Sequence, residues 1–465
     1  MLARTVTFKL AILAAGLVQA GGVSAKVYKH VATFSVDGLH SSDVGKYLAV
    51  RPQSTIAKLL NTGFEYTDTF TSAPSDSFPG TLAQFTGALP RTTGVWYDDI
   101  WDRIELDETL DFNLTELFSG GINPANLPKA LVNGKCTGVF PHQRVRVNTV
   151  WEVVHSKGKD TAYADKHPAY DLVRGPSGKG LSVGYFPEIA SQANTVDATI
   201  AYDQLHVDAF LDWLDGKTPA NSEGSLKTVP TLFGGNFQSV SVGQKTVGYL
   251  NASGNPFTPE LLKALDFVDA SLGKVVAKLE SKSLLDDTLI IVASKHGQAP
   301  IDPTKFGEVD PAAVVNATGV PLLFATTDDI ALLFMESQRD LDKAVDSLNR
   351  NRKALKISDI ISGPRLTQLG FGDPKTDPAV PDIIVTPEVG IIYTTSKAKI
   401  AEHGGLSDDD RKVACFVSNP QLKKRKFSQK LQTKQVAPTI LKALGFDPSD
   451  LKGVVIERTE PLPGF

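Results

Sequence analysis

The most constraining feature of this sequence is its alternation of short apolar runs with amphipathic helical segments. Residues 31–36 and 288–293 are short apolar runs, which are typical of strands buried on both faces of a parallel sheet. Between them, residues 261–279 place leucine and valine at helical spacing. Strands that alternate with helices predict an α/β fold, in which a central, mostly parallel sheet carries helices on both faces.

The first 25 residues have the composition of a secretory signal peptide. Arg4 and Lys9 precede a short apolar run, and small residues follow at positions 23–25. The run is shorter than the roughly 20 apolar residues that span a bilayer, and no later segment is long and apolar enough. We therefore expect residues 1–25 to be removed on secretion and residues 26–465 to form one large domain. Within it, the Pro-, Gly- and Asn-rich segment at about 100–230 is predicted to be an irregular insertion or small cap.

Three N-glycosylation sequons are present, which begin at Asn113, Asn251 and Asn316. In a secreted protein such sequons can be glycosylated. The chain has two cysteines, Cys136 and Cys415, so one disulfide is possible, but the sequence does not show that the two residues meet.

The charge distribution argues against nucleic-acid binding. The formal net charge is −4, and the one dense basic run, at 423–426, is typical of a solvated loop. Nucleic-acid-binding domains usually carry a basic face. The oligomeric state stays open.

Four short clusters contain side chains capable of chemistry, at residues 35–40, 74–79, 295–297 and 402–405. Asp37 and His296 each follow an apolar strand, and active sites of parallel sheets gather at the carboxyl ends of strands. Ser77 precedes a helical segment, whose N-terminus favours anions. With His403, these residues can bind a divalent cation and activate the Ser77 hydroxyl. Each cluster alone also fits an ordinary turn or loop; their joint order favours a site.

In that order the motifs resemble the type I phosphodiesterase/nucleotide pyrophosphatase family of the alkaline phosphatase superfamily. The matching segments are a strand that ends in Asp-Gly (31–38), a Ser-Phe-Pro turn (77–79) and a Thr-Gly-x-x-Pro run (86–90). They are followed by a His-Gly loop (403–404) and a helix that begins with Ala-Pro-Thr (437–445). The resemblance covers roughly residues 28–463. It implies an alkaline-phosphatase-like fold and a secreted hydrolase of phosphate esters, with phosphodiesters preferred, that forms a covalent phosphoserine.

The resemblance also implies roles for single residues. Ser77 would attack phosphorus, Asp37 and His296 would bind one metal ion, and His403 would belong to a second. Asn236 would offer a carbonyl oxygen to the metal. The implied cofactor is a divalent metal, zinc in the first place, as one ion or two. The implied partner is a small-molecule phosphate ester or a related anion.

Four positions depart from the family pattern. Lys295 and Asn236 each stand where the family has an aspartate, Val240 replaces a histidine and Asp98 replaces an asparagine. These changes favour a single metal ion, with the Lys295 ammonium replacing part of the lost charge. Lys295 would then point inward, where it either helps to deprotonate Ser77 or binds phosphoryl oxygens. The alternative is an outward Lys295 paired with a surface acid.

A further segment, with Lys166 and His167, is similar to the Lys-x-His segment of sulfatases. That similarity implies that Lys166 binds a tetrahedral anion and that His167 protonates the leaving group; an exposed loop is the alternative. A sulfatase or phosphonate ester hydrolase therefore stays open beside the phosphate ester hydrolase, although the Cys-x-Pro-Ser-Arg segment of sulfatases is absent. The loss of ligands keeps a third possibility open, a non-hydrolytic secreted protein that retains the fold.

Overall fold

The computed structural model describes residues 26–101, 110–111, 127, 129–132, 135–189, 194–251 and 256–465, so the predicted signal peptide and Asn113 lie outside the described residues. In this part of the chain the strands are β1 (His30–Val36), β2 (Gly63–Tyr66), β3 (Thr69–Phe70), β4 (Asp99–Ile100), β5 (Leu110–Asp111), β6 (Lys129–Val132), β7 (Lys135–Gly138), β8 (Thr161–Ala164), β9 (Val183–Tyr185), β10 (Glu223–Gly224), β11 (Leu232–Phe237), β12 (Thr288–Ala293), β13 (Gly307–Val309), β14 (Leu322–Thr327), β15 (Ala331–Met335), β16 (Ile357–Ser362), β17 (Ile383–Pro387), β18 (Ile391–Tyr393), β19 (Lys412–Val413), β20 (Cys415–Ser418), β21 (Arg425–Phe427) and β22 (Leu431–Gln432).

The α-helices of the same residues are α1 (Ser41–Val50), α2 (Thr55–Asn61), α3 (Ser77–Thr86), α4 (Pro90–Thr93), α5 (Val150–Ser156), α6 (Val196–Leu214), α7 (Ser239–Thr246), α8 (Pro259–Ser281), α9 (Pro311–Asn316), α10 (Leu341–Asn351), α11 (Pro364–Gln368), α12 (Asp408–Arg411), α13 (Val436–Ala443) and α14 (Lys452–Glu457). Several of them begin at a residue whose hydroxyl accepts a backbone N–H, as Thr258 does for α8.

A nine-stranded sheet forms the centre of the fold, in the order β10-β9-β8-β11-β1-β12-β20-β2-β21. The five strands from β9 to β12 run parallel to one another. The strands β10 and β20 are antiparallel to their neighbours, and β2 is parallel to β21. The predicted fold class, with a central and mostly parallel sheet, is confirmed.

Helices cover both faces of this sheet, because successive side chains of each buried strand point to opposite sides. In β12, Leu289 and Ile291 enter the core with α3, α5 and α13. Ile290 and Val292 enter the opposite core, with α1, α2, α6, α7 and α8. This burial on both faces explains why the strand reads as a continuous apolar run.

The second half of the segment predicted to be irregular, 100–230, instead contributes to the main layers. Strands β8, β9 and β10 join the central sheet, and the 19-residue helix α6 packs on it. The prediction is wrong for these residues because strands of two to four residues are too short to show a periodicity.

A smaller sheet lies between β12 and β20 in the chain. It has four antiparallel strands in the order β14-β15-β17-β16. Its apolar side chains pack with α9 and α10 in a core of their own. A small inserted unit of this fold is therefore built from residues after 300.

The surface bears on the predictions about secretion. Asn251 and Asn316 are exposed, as glycosylation requires, and their modification stays a prediction. Among the described residues, no helix has both the length and the apolar character needed to cross a membrane.

Cys415 lies in β20 as a free, buried thiol. Burial raises the pKa of this thiol to about 12. The thiolate is the reactive form of cysteine. We therefore expect Cys415 to remain unmodified by iodoacetamide at mildly alkaline pH in the folded protein and to react fully in urea. Peptide mapping by mass spectrometry checks this result, and rapid labelling of the folded protein at Cys415 would contradict it.

Candidate active site

The site is built at the carboxyl ends of four neighbouring parallel strands, β8, β11, β1 and β12. Asp37 follows β1, Lys166 follows β8, Asn236 lies near the end of β11, and Lys295 and His296 follow β12. Because these strands run side by side in one direction, their ends meet at one edge of the sheet. Five of the residues predicted from the sequence are thus brought together.

Asp37 is the centre of this group. Its Oδ2 lies 3.0 Å from Asn236 Nδ2 and 3.3 Å from Lys166 Nζ, and its Oδ1 lies 3.3 Å from Lys295 Nζ. Burial alone would raise the pKa of Asp37, but the charges of Lys295 and Lys166 outweigh it and hold this pKa well below its usual range. Asp37 is therefore an ionised carboxylate held between two ammonium groups.

A second carboxylate completes the arrangement. Asp165 Oδ1 lies 3.6 Å from Lys295 Nζ and accepts the backbone N–H of Lys166 at 2.8 Å. Asp37 and Asp165 outweigh the effect of burial and raise the pKa of Lys166. Burial holds the pKa of Lys295 below its ordinary value, although the same carboxylates oppose it. We call Asp37, Asp165, Lys166 and Lys295 the lysine cluster; its formal charge is zero.

Ser77 is the first residue of α3 and lies next to the lysine cluster, with its Oγ 3.4 Å from Lys166 Nζ. The helix comes this close because of Gly80. A Cβ added at Gly80 would lie 1.9 Å from the backbone oxygen of Lys295. Thr71 Oγ1 donates to the same oxygen at 2.5 Å. The placement of the Ser77 hydroxyl therefore depends on direct backbone contact between α3 and the loop after β12.

Tyr170 is a member of the site that the sequence did not reveal. It lies in the short 3₁₀ helix Pro168–Arg174, and its hydroxyl accepts a hydrogen bond from Lys295 Nζ at 2.7 Å. The same side chain interacts with Ser77. It thus connects Lys295 to the Ser77 hydroxyl. Its position four residues after Lys166 is the only sequence signal, since a buried tyrosine is otherwise typical of a core.

His403 lies next to His296 and to the residue that precedes Ser77. Its ring centroid is 3.8 Å from that of His296, and its Nδ1 is 3.3 Å from Oδ1 of Asp76, the residue before Ser77. Burial, together with the neighbouring His296, lowers the pKa of His403 well below its usual range. Burial also raises the pKa of Asp76. His403 is therefore a neutral imidazole at neutral pH.

His167 has a different environment from the other predicted residues. Its Nδ1 lies 2.7 Å from a carboxylate oxygen of Glu188, and the imidazole is half-buried. The ring lies parallel to that of Tyr170, with centroids 6.4 Å apart. Its role in protonating a leaving group stays a prediction.

Only part of the site reaches solvent. Asp37, Asn236, Lys295 and His296 are fully enclosed, whereas Ser77 is 5% exposed, His403 is 7% exposed and Lys166 is 8% exposed. A substrate that enters the site therefore meets the serine hydroxyl, the imidazole of His403 and the ammonium group of Lys166.

The predicted metal ligands do not fit a divalent cation in this arrangement. Zinc binds a carboxylate oxygen at about 2.0–2.2 Å, and both oxygens of Asp37 already face an ammonium group. Asn236 turns its amide nitrogen, a donor, toward Asp37. A dication about 4 Å from one ammonium group is repelled by about 8 kcal/mol at an effective dielectric constant of about 20. Among the described residues, no group of three or more His, Cys, Asp or Glu side chains can hold a metal ion. This arrangement therefore does not support the zinc site at Asp37, Asn236, His296 and His403, and the assignment of these residues as metal ligands stays a prediction.

Comparison with known proteins agrees with the architecture of the site. Murine ectonucleotide pyrophosphatase/phosphodiesterase 5 shares the fold, with 14% sequence identity and a TM-score of 0.61. One of its two solved structures is that of an inactive variant in complex with AMP. The alignment covers 90% of this chain and 96% of that one. A substituted variant of the alkaline phosphatase PafA aligns with 14% identity and a TM-score of 0.67, over 94% of this chain and 98% of that one.

Sequence comparison places the chain in a family. No curated protein sequence matches it significantly. The model of the type I phosphodiesterase/nucleotide pyrophosphatase family matches residues 31–408, a span that contains every residue of the lysine cluster, Ser77 and His403. Enzymes of this family depend on divalent metal ions. The chain therefore belongs to the type I phosphodiesterase/nucleotide pyrophosphatase family and is a phosphoric ester hydrolase.

Proposed function

We propose that residues 26–465 form a secreted hydrolase that cleaves small-molecule phosphate esters, with phosphodiesters preferred, and that Ser77 is its nucleophile. The observation that carries this proposal is the Ser77 hydroxyl itself. It lies at the N-terminus of α3, 3.4 Å from the Lys166 ammonium group, on the part of the site that reaches solvent. AMP bound to a structural neighbour supports a small phosphate ester as the substrate class.

The reaction takes two steps. Ser77 Oγ forms a bond to phosphorus as the ester bond to the leaving alcohol breaks, and the hydroxyl proton leaves with the alcohol. Water then attacks the phosphoserine, the bond between Ser77 and phosphorus breaks, and Ser77 regains its proton. Lys166 and the N-terminus of α3 stabilise the negative charge on the phosphoryl oxygens.

The charge of the lysine cluster supports a diester. Its two ammonium groups are already paired with Asp37 and Asp165. A phosphodiester carries a single negative charge, whereas a monoester carries about two near neutral pH. A site whose cations are largely compensated therefore favours the anion with the lower charge.

We expect the purified chain to release p-nitrophenol from bis-p-nitrophenyl phosphate and the Ser77→Ala variant to lose at least about a thousandfold in turnover, because the nucleophile is removed. Ser42→Ala, at an exposed position of α1, is the control and should match the parent. Acid quenching during turnover, followed by mass spectrometry, should find Ser77 esterified with the remaining p-nitrophenyl phosphoryl group.

The same assay separates the alternatives. Parental turnover by Ser77→Ala would contradict the proposed nucleophile. Faster hydrolysis of p-nitrophenyl sulfate than of either phosphate ester would favour a sulfatase. If no ester is hydrolysed, with or without added divalent metal ions, the chain is a non-hydrolytic protein that retains the fold. Secretion is checked separately, by the loss of residues 1–25 from the exported protein and by glycans on Asn113, Asn251 and Asn316.

A further inference from the structure

We propose that the ammonium groups of Lys166 and Lys295 take the place of a bound divalent cation, so that this site binds the phosphoryl group of its substrate without metal. This inference deepens the proposed function and rests on it for the substrate class. It departs from the metal dependence of the family, and the disagreement arises from the side chains that surround Asp37.

The two ammonium groups lie on either side of the Asp37 carboxylate. Each lies 3.3 Å from a different oxygen of Asp37, so that the carboxylate is bracketed on both sides. Asn236 donates a further hydrogen bond to Oδ2. A metal ion bound to either oxygen would lie close to one of these ammonium groups and be repelled by it. The carboxylate is thus already neutralised by cations that belong to the chain.

Lys295 is enclosed by the fold, which fixes its ammonium group beside Asp37. Lys295 is fully buried and has two carboxylate neighbours, Asp37 and Asp165, besides the hydroxyl of Tyr170. The hydrogen bond to Tyr170 and the two carboxylates, at 3.3 and 3.6 Å, compensate the charge of this buried ammonium group. Lys295 is therefore a permanent part of the site rather than a side chain that swings away for a metal ion.

The two lysines then have different tasks. Lys166 reaches solvent and contacts Ser77 Oγ, so it is the ammonium group that touches a bound phosphoryl group. Lys295 lies behind it and reaches Ser77 through Tyr170. Lys166 is thus a binding and catalytic residue, whereas Lys295 positions Asp37 and Tyr170.

Metal content and anion binding test the proposal directly. The purified chain is passed over a chelating resin, its divalent ions are measured by mass spectrometry, and inorganic phosphate is titrated calorimetrically with and without EDTA. We expect far less than one ion per chain and the same affinity in both buffers. Lys166→Met should weaken phosphate binding by about 10- to 100-fold, the loss of one charge-assisted hydrogen bond. Lys166→Arg should recover part of it, and the exposed control Lys179→Met should bind like the parent.

A substitution in the opposite direction gives a second readout. Lys295→Asp removes an ammonium group and adds a carboxylate beside Asp37 and His296. We expect zinc to raise the thermal unfolding midpoint of Lys295→Asp, because the ion binds the folded state, and to leave the parent unchanged. If Lys295→Asp does not fold, the titrations of the parent, of Lys166→Met and of Lys179→Met still decide the question.

The outcomes separate this inference from the proposed function. A stoichiometric divalent ion in the parent, or phosphate binding that EDTA abolishes and zinc restores, would overturn the inference while leaving hydrolysis by Ser77 intact. Phosphate binding in EDTA without turnover of any ester would support the inference and overturn the proposed function.

Discussion

Replacement of Asp37 by asparagine is expected to destabilise the protein by about 3–5 kcal/mol, because it leaves two buried ammonium groups beside a neutral amide. Asparagine keeps the shape of the side chain, so the change removes charge rather than volume. Among the residues that the structure describes, the fully buried Asp37 is the one carboxylate that contacts both Lys166 and Lys295 within 3.3 Å. Urea unfolding in EDTA, followed by circular dichroism, measures the difference.

The sign of this effect separates two kinds of site. Where carboxylates surround an empty metal position, asparagine relieves repulsion and raises the stability of the metal-free protein. An Asp37→Asn variant as stable as the parent would therefore contradict the lysine cluster. Asp197→Asn, which breaks the exposed pair with Lys263, is the control and should cost at most about 1 kcal/mol. Adding Lys295→Met to Asp37→Asn should restore part of the loss, because one uncompensated charge is removed.

The pH dependence of the same difference follows from the pKa of Asp37. This pKa is depressed well below its ordinary value of 3.8 in the folded state. The stability that Asp37 contributes is therefore fully present above the ordinary pKa and is lost as the pH falls through the folded-state pKa. The gap between the parent and Asp37→Asn should be constant from neutral pH down to about pH 4 and narrow below it. A gap that narrows already near neutral pH would show that another group is responsible.

Replacement of Gly80 by alanine is the second change with a large expected effect. The new Cβ would lie 1.9 Å from the backbone oxygen of Lys295, so α3 and its first residue, Ser77, would have to move. We expect a loss of about 1–3 kcal/mol in the free energy of unfolding, as for overpacking of a core. Turnover should fall by roughly a hundredfold, as for a reacting group displaced by about 1 Å.

The matched control is another glycine inside a helix. Gly45 lies in α1, and a Cβ added there meets no atom within 4 Å. Gly45→Ala should therefore stabilise the protein by about 0.4–1 kcal/mol and leave turnover unchanged. Urea unfolding and hydrolysis of bis-p-nitrophenyl phosphate measure both variants. Parental turnover by Gly80→Ala would show that the placement of Ser77 does not depend on this contact.

The sequence was sufficient for the central elements of the fold and for the edge of the sheet that bears the site. The apolar runs of β1 and β12 are long enough to be recognised in the sequence. A polar residue follows each run directly, Asp37 after β1 and Ser294 after β12. Parallel strands place such ends together, so the proximity of Asp37 and His296 could be predicted. The strands β8 and β9 have four and three residues. Strands this short have too few side chains to show the alternation of apolar and polar residues, so their place in the sheet could not be predicted.

Which atoms face one another was decided only by the tertiary structure. The sequence identified Asp37, Asn236, His296 and His403 as residue types that bind metal ions, but a carboxylate can equally accept an ammonium group. The choice depends on the register of β8 against β11 and of β11 against β1, which brings Lys166 to one oxygen of Asp37. Lys295 reaches the other oxygen from the end of β12. These residues are separated by more than a hundred positions in the chain. Local sequence determines the elements, whereas the contact between their ends is determined by how the elements pack.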